Sequence, residues 1–278
     1  MTDTASRSLA HWSEARRSEM NAFYRLASKD YRHLAEARDW PAWFKARASK
    51  TPGRPLRLLD VACGSGKFPN ALIDHAGLGQ SGLEPIDYDL LDPSAFSVSE
   101  ARAALRPPFR AAGEHVCTLQ EFNGPAGRYD VVWATHALYA LPRTDLATGL
   151  SRFVDALAPD GVGVIAHASE ASHYLSFYRA YLEGFPQSGA EPYTSSADLV
   201  DTLQGLGVNF TTEEITYENG APDAERAAVE GYLQRCLFDD TVSLEAMLEN
   251  PSTGRYLADK LRDGVWRFPQ SVTLITIS

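Results

Sequence analysis

The stretch that most restricts the fold is RLLDVACGSGKFPNAL, residues 57–72. An apolar run ends in Asp60, breaks at Ala62-Cys63-Gly64-Ser65-Gly66 and resumes with helical spacing, the pattern of a strand feeding a helix through a glycine turn. Such a turn cradles a phosphate, walls a nucleoside or merely reverses the chain. A phosphate loop needs G-x-x-x-x-G-K-[ST], but Gly66-Lys67 is followed by Phe68, and no glycine stands five positions before Gly66. A dinucleotide fingerprint, G-x-G-x-x-G, fails at its third glycine, where Pro69 stands. An NAD-dependent oxidoreductase is therefore a poor fit.

The chain beyond the turn favours a nucleoside without phosphates. A second apolar segment, LLDPS at 90–94, ends in another carboxylate, Asp92. At the carboxyl end of a parallel sheet a carboxylate can accept two hydrogen bonds from a ribose. The rhythm around it is strand 56–61, helix 67–74, strand 87–91, helix 97–105, strand 129–134, helix 143–157 and strand 161–167. Alternation of this kind predicts an α/β fold with crossover connections and helices on both faces of a mostly parallel sheet. Upstream, residues 13–48 read as two or three amphipathic helices, closed by the turn-forming KTPGRP at 50–55. Downstream, helices are expected at 170–185, after about 195, at 224–238 and at 243–261, with strands in VNFTTEEITYE and SVTLITIS.

LDVACGSG, together with the acid that closes the second strand, resembles the class I S-adenosylmethionine-dependent methyltransferases, with Ala62 in place of a first glycine. The resemblance implies a Rossmann-like seven-stranded sheet with an antiparallel last strand, S-adenosyl-L-methionine as cofactor and S-adenosyl-L-homocysteine as product. It implies that Gly64 and Gly66 lie against the methionine part and that Asp92 holds the ribose. Thr118 or Leu119, in CTLQEF, is the expected adenine contact, and Asp60, Ala62, Pro93, Ser97 and Thr135 complete the cofactor wall. Residues 1–50 are expected to form a helical lid on a core spanning 51–278, with substrate-pocket helices at about 170–200 and 222–262.

A narrower likeness lies in WATHALYALPRTDLATGLSRFVDALAPDGV, the aromatic helix ending in FPQ, and YTSSADLVDTLQGLGV, which together are similar to the histamine N-methyltransferase type of small-molecule enzyme. It implies a substrate pocket lined by His136, Tyr139, Tyr174, Tyr178, Phe185, Gln270 and Tyr24. His136 follows the fourth strand, where a substrate meets the methyl group, and its ordinary pKa suits it to bind the substrate or accept a proton. The family carries an amide at that position, so the histidine leaves histamine itself in doubt. Nitrogen is the favoured acceptor. Oxygen or carbon, and a non-catalytic nucleoside-binding protein, are the alternatives.

Composition removes other classes. The net charge of −10 comes without any Lys/Arg block to track phosphates, so a nucleic-acid partner is not expected. Cys63, Cys117 and Cys236 are odd in number and widely spaced, and the histidines show no ligand spacing. Free thiols, no metal and a cytoplasmic location are the corresponding expectations. No apolar run approaches the roughly 20 residues of a membrane span, and no heptad or exposed apolar stripe urges a dimer, so a soluble monomer acting on a small molecule is expected.

Overall fold

The computed structural model describes residues 4–278. Its helices are α1 (Thr4–His11), α2 (Arg17–Glu36), α3 (Trp40–Ala48), α4 (Lys67–His75), α5 (Ala95–Ala104), α6 (Leu146–Asp155), α7 (His173–Gly184), α8 (Ser196–Gly205), α9 (Arg226–Leu237), α10 (Leu244–Glu249) and α11 (Pro251–Leu257). The strands are β1 (Arg57–Val61), β2 (Ile86–Leu91), β3 (Phe109–His115), β4 (Tyr129–Thr135), β5 (Leu157–Ala168), β6 (Phe210–Pro222), β7 (Leu261–Arg262) and β8 (Val265–Ile277). They form one sheet in the order β3-β2-β1-β4-β5-β8-β6, with β7 paired to β8 off that path.

Strands β1 to β5 are parallel, and β8 enters antiparallel between β5 and β6. Alternating side chains explain why both faces are covered. Leu58, Val131 and Val164 pack with Trp40, Phe44 and Phe68 on one face, while Leu59, Val132 and Ile165 pack with Phe153 and Leu199 on the other. A third apolar cluster, built from α2, α7, α9 and the far ends of β6 and β8, includes Phe177, Tyr232 and Phe268. β8 pairs with β5 only over residues 272–277 but with β6 over all of 265–277. The two antiparallel strands therefore project past the parallel sheet and brace that cluster.

Several expected boundaries move. The first helix begins at Thr4 and not near residue 13, and the edge strand β3 was not expected. Its residues RAAGEH are largely exposed and carry no apolar alternation, so only pairing with β2 reveals it. The helix expected at 243–261 is two, because Asn250 is extended and its side chain caps α11 through Ser252 and Thr253, with Pro251 starting the new helix. The 1–50 lid also divides. Trp40 and Phe44 of α3 are fully buried against Phe68 and Trp133, so α3 is part of the sheet core, and only α1 and α2 reach the cavity.

Gly66 shows why the loop needs a second glycine. It caps α4 at φ +67°, and a Cβ there would stand 3.2 Å from the Ala101 backbone of α5. Gly66→Ala should destabilise the protein by about 1–3 kcal/mol, measured as a lower urea midpoint at unchanged slope. An unaltered midpoint would count against close packing of α4 on α5.

Candidate active site

The carboxyl ends of β1, β2 and β4 open into a cavity of about 320 Å³, at the point where the strand order reverses between β1 and β4. Two residues that lack glycine's freedom hold left-handed backbone there: Ala62 at φ +52° after β1 and His136 at φ +53° after β4. Strain of this kind, of order 1–3 kcal/mol per residue, collects at sites where backbone must approach a ligand. Gly64 shares the conformation at φ +51°, and its amide donates to Asp92 Oδ2 at 3.1 Å. Asp92 Oδ1 accepts from the Ser94 amide at 2.8 Å. Each carboxylate oxygen keeps a lone pair for another donor. Burial pushes the Asp92 pKa up to about 6 against the pull of those two amides.

Asp60, beneath the loop, accepts from Tyr88 Oη at 2.6 Å, and burial raises its pKa to about 7. Pro93, Thr118, Leu119 and Thr135 line the same cavity. The N-terminal segment covers it with Ser8, Leu9 and Trp12. That segment is fastened: Ser94 Oγ donates to the Trp12 carbonyl at 2.6 Å, and Thr4 Oγ1 donates to the Glu191 carbonyl at 2.9 Å. Lys67 Nζ rests 4.6 Å above the Tyr24 ring, so Tyr24 belongs to this cavity, not to the substrate side where it was expected. Two expected cofactor residues lie off its lining. Gly66 faces α5, and Ser97 is buried in the first turn of α5, its amide donating to Ser94 Oγ.

A smaller chamber of about 90 Å³ adjoins the first, the two sharing Trp12, Tyr31 and His136. Tyr139, Tyr174 and Tyr193 supply aromatic walls, and Asp30 supplies a carboxylate. Asp30 is 2% exposed and accepts from Tyr174 Oη at 2.5 Å and from Asn219 Nδ2 at 2.7 Å. Desolvation outweighs those bonds and raises its pKa to about 6. It remains largely ionised at neutral pH, a negative charge in an aromatic box.

Asp30 was not anticipated, although a signal was present. Ala27, Asp30, Tyr31 and Leu34 stand at i, i+3, i+4 and i+7, which places an acid on the apolar stripe of α2.

His136 differs from its expected role. Burial lowers its pKa to about 4, so it is neutral at physiological pH and a weak base. Its Nδ1 lies 2.8 Å from Tyr139 Oη and its Nε2 lies 3.4 Å from Tyr217 Oη. Both ring nitrogens are thus engaged by phenols, and the ring acts as a fixed spacer between the two cavities. The structure keeps three more expected pocket residues away from both linings. Tyr178 stacks on Tyr193 at 3.6 Å, Phe185 packs on Tyr181 at 5.3 Å, and Gln270 accepts from Ser172 Oγ while donating to Tyr232 Oη at 3.1 Å. Their aromatic and amide character serves the third cluster's packing.

Among the described residues no group of three or more His, Cys, Asp or Glu side chains could hold a metal ion, and no helix is long and apolar enough to cross a membrane.

Residues 59–162, which include the glycine loop, Asp92 and His136, match the family model described as a methyltransferase domain. The fold is that of the methyltransferases. The chain superimposes on magnesium protoporphyrin IX methyltransferase from Synechocystis PCC 6803, solved with bound SAH, with a TM-score of 0.54 at 13% identity, covering 98% of this chain and 99% of that one. The YcgJ protein of Bacillus subtilis gives a TM-score of 0.52 at 12% identity over 82% and 94% of the two chains. In sequence, the biotin biosynthesis bifunctional protein BioCD of Bordetella avium is 29% identical over 171 residues, 60% of this chain. The match spans about a third of that relative's length, 32%.

Proposed function

We propose that the protein transfers a methyl group from S-adenosyl-L-methionine to nitrogen of a small amine held in the aromatic chamber. The observation that carries this reading is the juxtaposition of two cavities, one ending at Asp92 and the other at Asp30, which meet at Trp12, Tyr31 and His136. The residues of the larger cavity fit the cofactor. Asp92 retains acceptor capacity for the ribose hydroxyls, Gly64 offers backbone without a side chain to the methionine part, and Thr118 and Leu119, on the same lining, are the residues we assign to the adenine. A volume near 320 Å³ falls within the range of small-molecule sites.

The bound cofactor supplies an activated methyl group. The protein's part is alignment and exclusion of water. Tyr139 and Tyr174 line the chamber with aromatic surface suited to a cation, and Asp30 would neutralise it. Nitrogen attacks with a free lone pair, so an amine that enters protonated first gives a proton to Asp30. The cofactor would give up the methyl and leave as a neutral thioether, its sulfur keeping the bonding pair of the S–C bond. Asp30 then releases the proton it took to solvent, and the product ammonium pairs with the restored carboxylate until it leaves. A chamber of about 90 Å³ is smaller than the roughly 150 Å³ that admits a benzene ring, which favours compact substrates. An amine acceptor is what the histamine-type likeness of the sequence implies, and Asp30, which lines the chamber together with His136, is the group whose charge would meet it.

A methyl-release assay over small amines and phenols tests the reaction directly. Turnover of phenols alone would overturn the assignment to nitrogen. Because His136 is neutral from pH 5 upward, His136→Gln should lower kcat by about tenfold, a modest loss for a group that positions others. It should leave the pH profile of kcat/KM in place. Disappearance of the acid limb in this variant would make His136 the titrating group.

A further inference from the structure

The inner chamber holds a second charged side chain that amine binding leaves unexplained. Arg235, on α9, is 3% exposed and lines the chamber with Asp30, which α2 contributes from the facing side. Its Nη1 donates to the His11 carbonyl at 2.5 Å and its Nη2 to the Arg16 carbonyl at 3.4 Å, while Nε has no partner. Its guanidinium also lies 5.1 Å from the Trp12 ring. Among the described residues no carboxylate forms an ion pair with it. The acids nearby are taken: Asp240 pairs with Arg16 and His11, and Asp239 accepts from Tyr181 and Thr241. Glu19 acts on it only at longer range. Burial lowers the Arg235 pKa to about 10, which leaves it charged at neutral pH.

Two carbonyls satisfy two of five donors and no charge. A buried guanidinium without an anion is costly, and the cost falls when a carboxylate arrives with matching planar geometry. Asp30, the only carboxylate on the chamber's lining among the described residues, is not in ion-pair contact with Arg235 and is bonded instead to Tyr174 and Asn219.

We infer that the substrate is a small aminocarboxylate, its acid group held by Arg235 and its nitrogen directed to Asp30. This rests on the methyl-transfer reading and narrows it to a substrate class. The two opposite charges on one small lining would read the substrate's polarity. They would also turn it so that the nitrogen points away from Arg235.

The test uses matched pairs of compact compounds that differ only in the carboxylate: glycine and methylamine, alanine and ethylamine, 4-aminobutyrate and propylamine. Each is added to the full-length protein saturated with S-adenosyl-L-homocysteine, and the thermal midpoint is read. Methyl transfer from S-adenosyl-L-methionine is measured in parallel. At least one acid should raise the midpoint and bind about 30-fold or more tightly than its amine, the worth of a charge-assisted pair of hydrogen bonds. Arg235→Met should abolish that preference and Arg235→Lys should keep part of it, each checked for retained S-adenosyl-L-homocysteine affinity. Amines that bind as well as their acids, or no response to any acid at millimolar concentration, overturn the inference. Stabilisation of the parent by S-adenosyl-L-homocysteine alone is a separate arm: its failure sinks the methyl-transfer reading itself.

Discussion

Replacing Asp92 by alanine is expected to weaken S-adenosyl-L-homocysteine binding by about 100-fold, from the loss of two charge-assisted hydrogen bonds. The carboxylate occupies the end of β2 with each oxygen already bonded to one backbone amide, from Gly64 or Ser94. Those bonds aim its remaining lone pairs into the cavity. Asp92→Asn should fall between parent and alanine variant. Its amide offers one acceptor, and its NH₂ must face one of the two backbone donors. Titration calorimetry gives the affinities, and circular dichroism shows that the sheet persists. An alanine variant that binds as tightly as the parent would remove Asp92 from the cofactor site and leave it as a loop fastener.

The other large effect should come from Asp30→Asn, with a loss in kcat/KM of about 100-fold or more and cofactor affinity intact. This is the scale for an interaction between a buried charge and a cationic partner. The pH dependence carries the sign. Asp30 has its pKa raised to about 6, so substrate pairing is present above that value and is lost as pH falls through it. kcat/KM in the parent should therefore decline below about pH 6, and the asparagine variant should lack that limb. Stability runs the other way. A buried acid with a raised pKa favours the native state when protonated, an advantage complete below about 4 and lost as pH rises through about 6. At pH 8 the variant should be no less stable than the parent, especially since Asn219 Oδ1, now without a partner, can accept from the new amide. Loss of activity together with a lower melting point at pH 8 would instead mark Asp30 as structural.

Much of the scaffold could be read from local pattern. RLLDV, YDVVWAT and the LLDPS junction are near-continuous apolar runs bounded by turn residues, and they became β1, β4 and the end of β2. The positions of the glycine loop and of Asp92 came with them. β3 escaped because an exposed edge strand needs no apolar alternation. The substrate side was harder for a related reason. Tyr174 and Tyr178 lie four apart on α7, yet Tyr174 meets the chamber and Tyr178 stacks on Tyr193. Spacing identifies a shared helix face; it does not say which part of that face meets a cavity and which meets core. Asp30 and Arg235 are 205 residues apart in the chain (235 − 30), and only the packing of α2 on α9 brings them to one lining.

α2 has one further consequence. Tyr24 touches the larger cavity and Asp30 the smaller, six residues apart on one uninterrupted helix of 20 residues, or about 9 Å along its axis. Two ligands that press on one stiff helix at points six residues apart cannot be read independently. Seating one sets the height and rotation at which the other finds its wall. On this geometry the helix is a shared wall between donor and acceptor, so a shift that loosens one site is felt at the other.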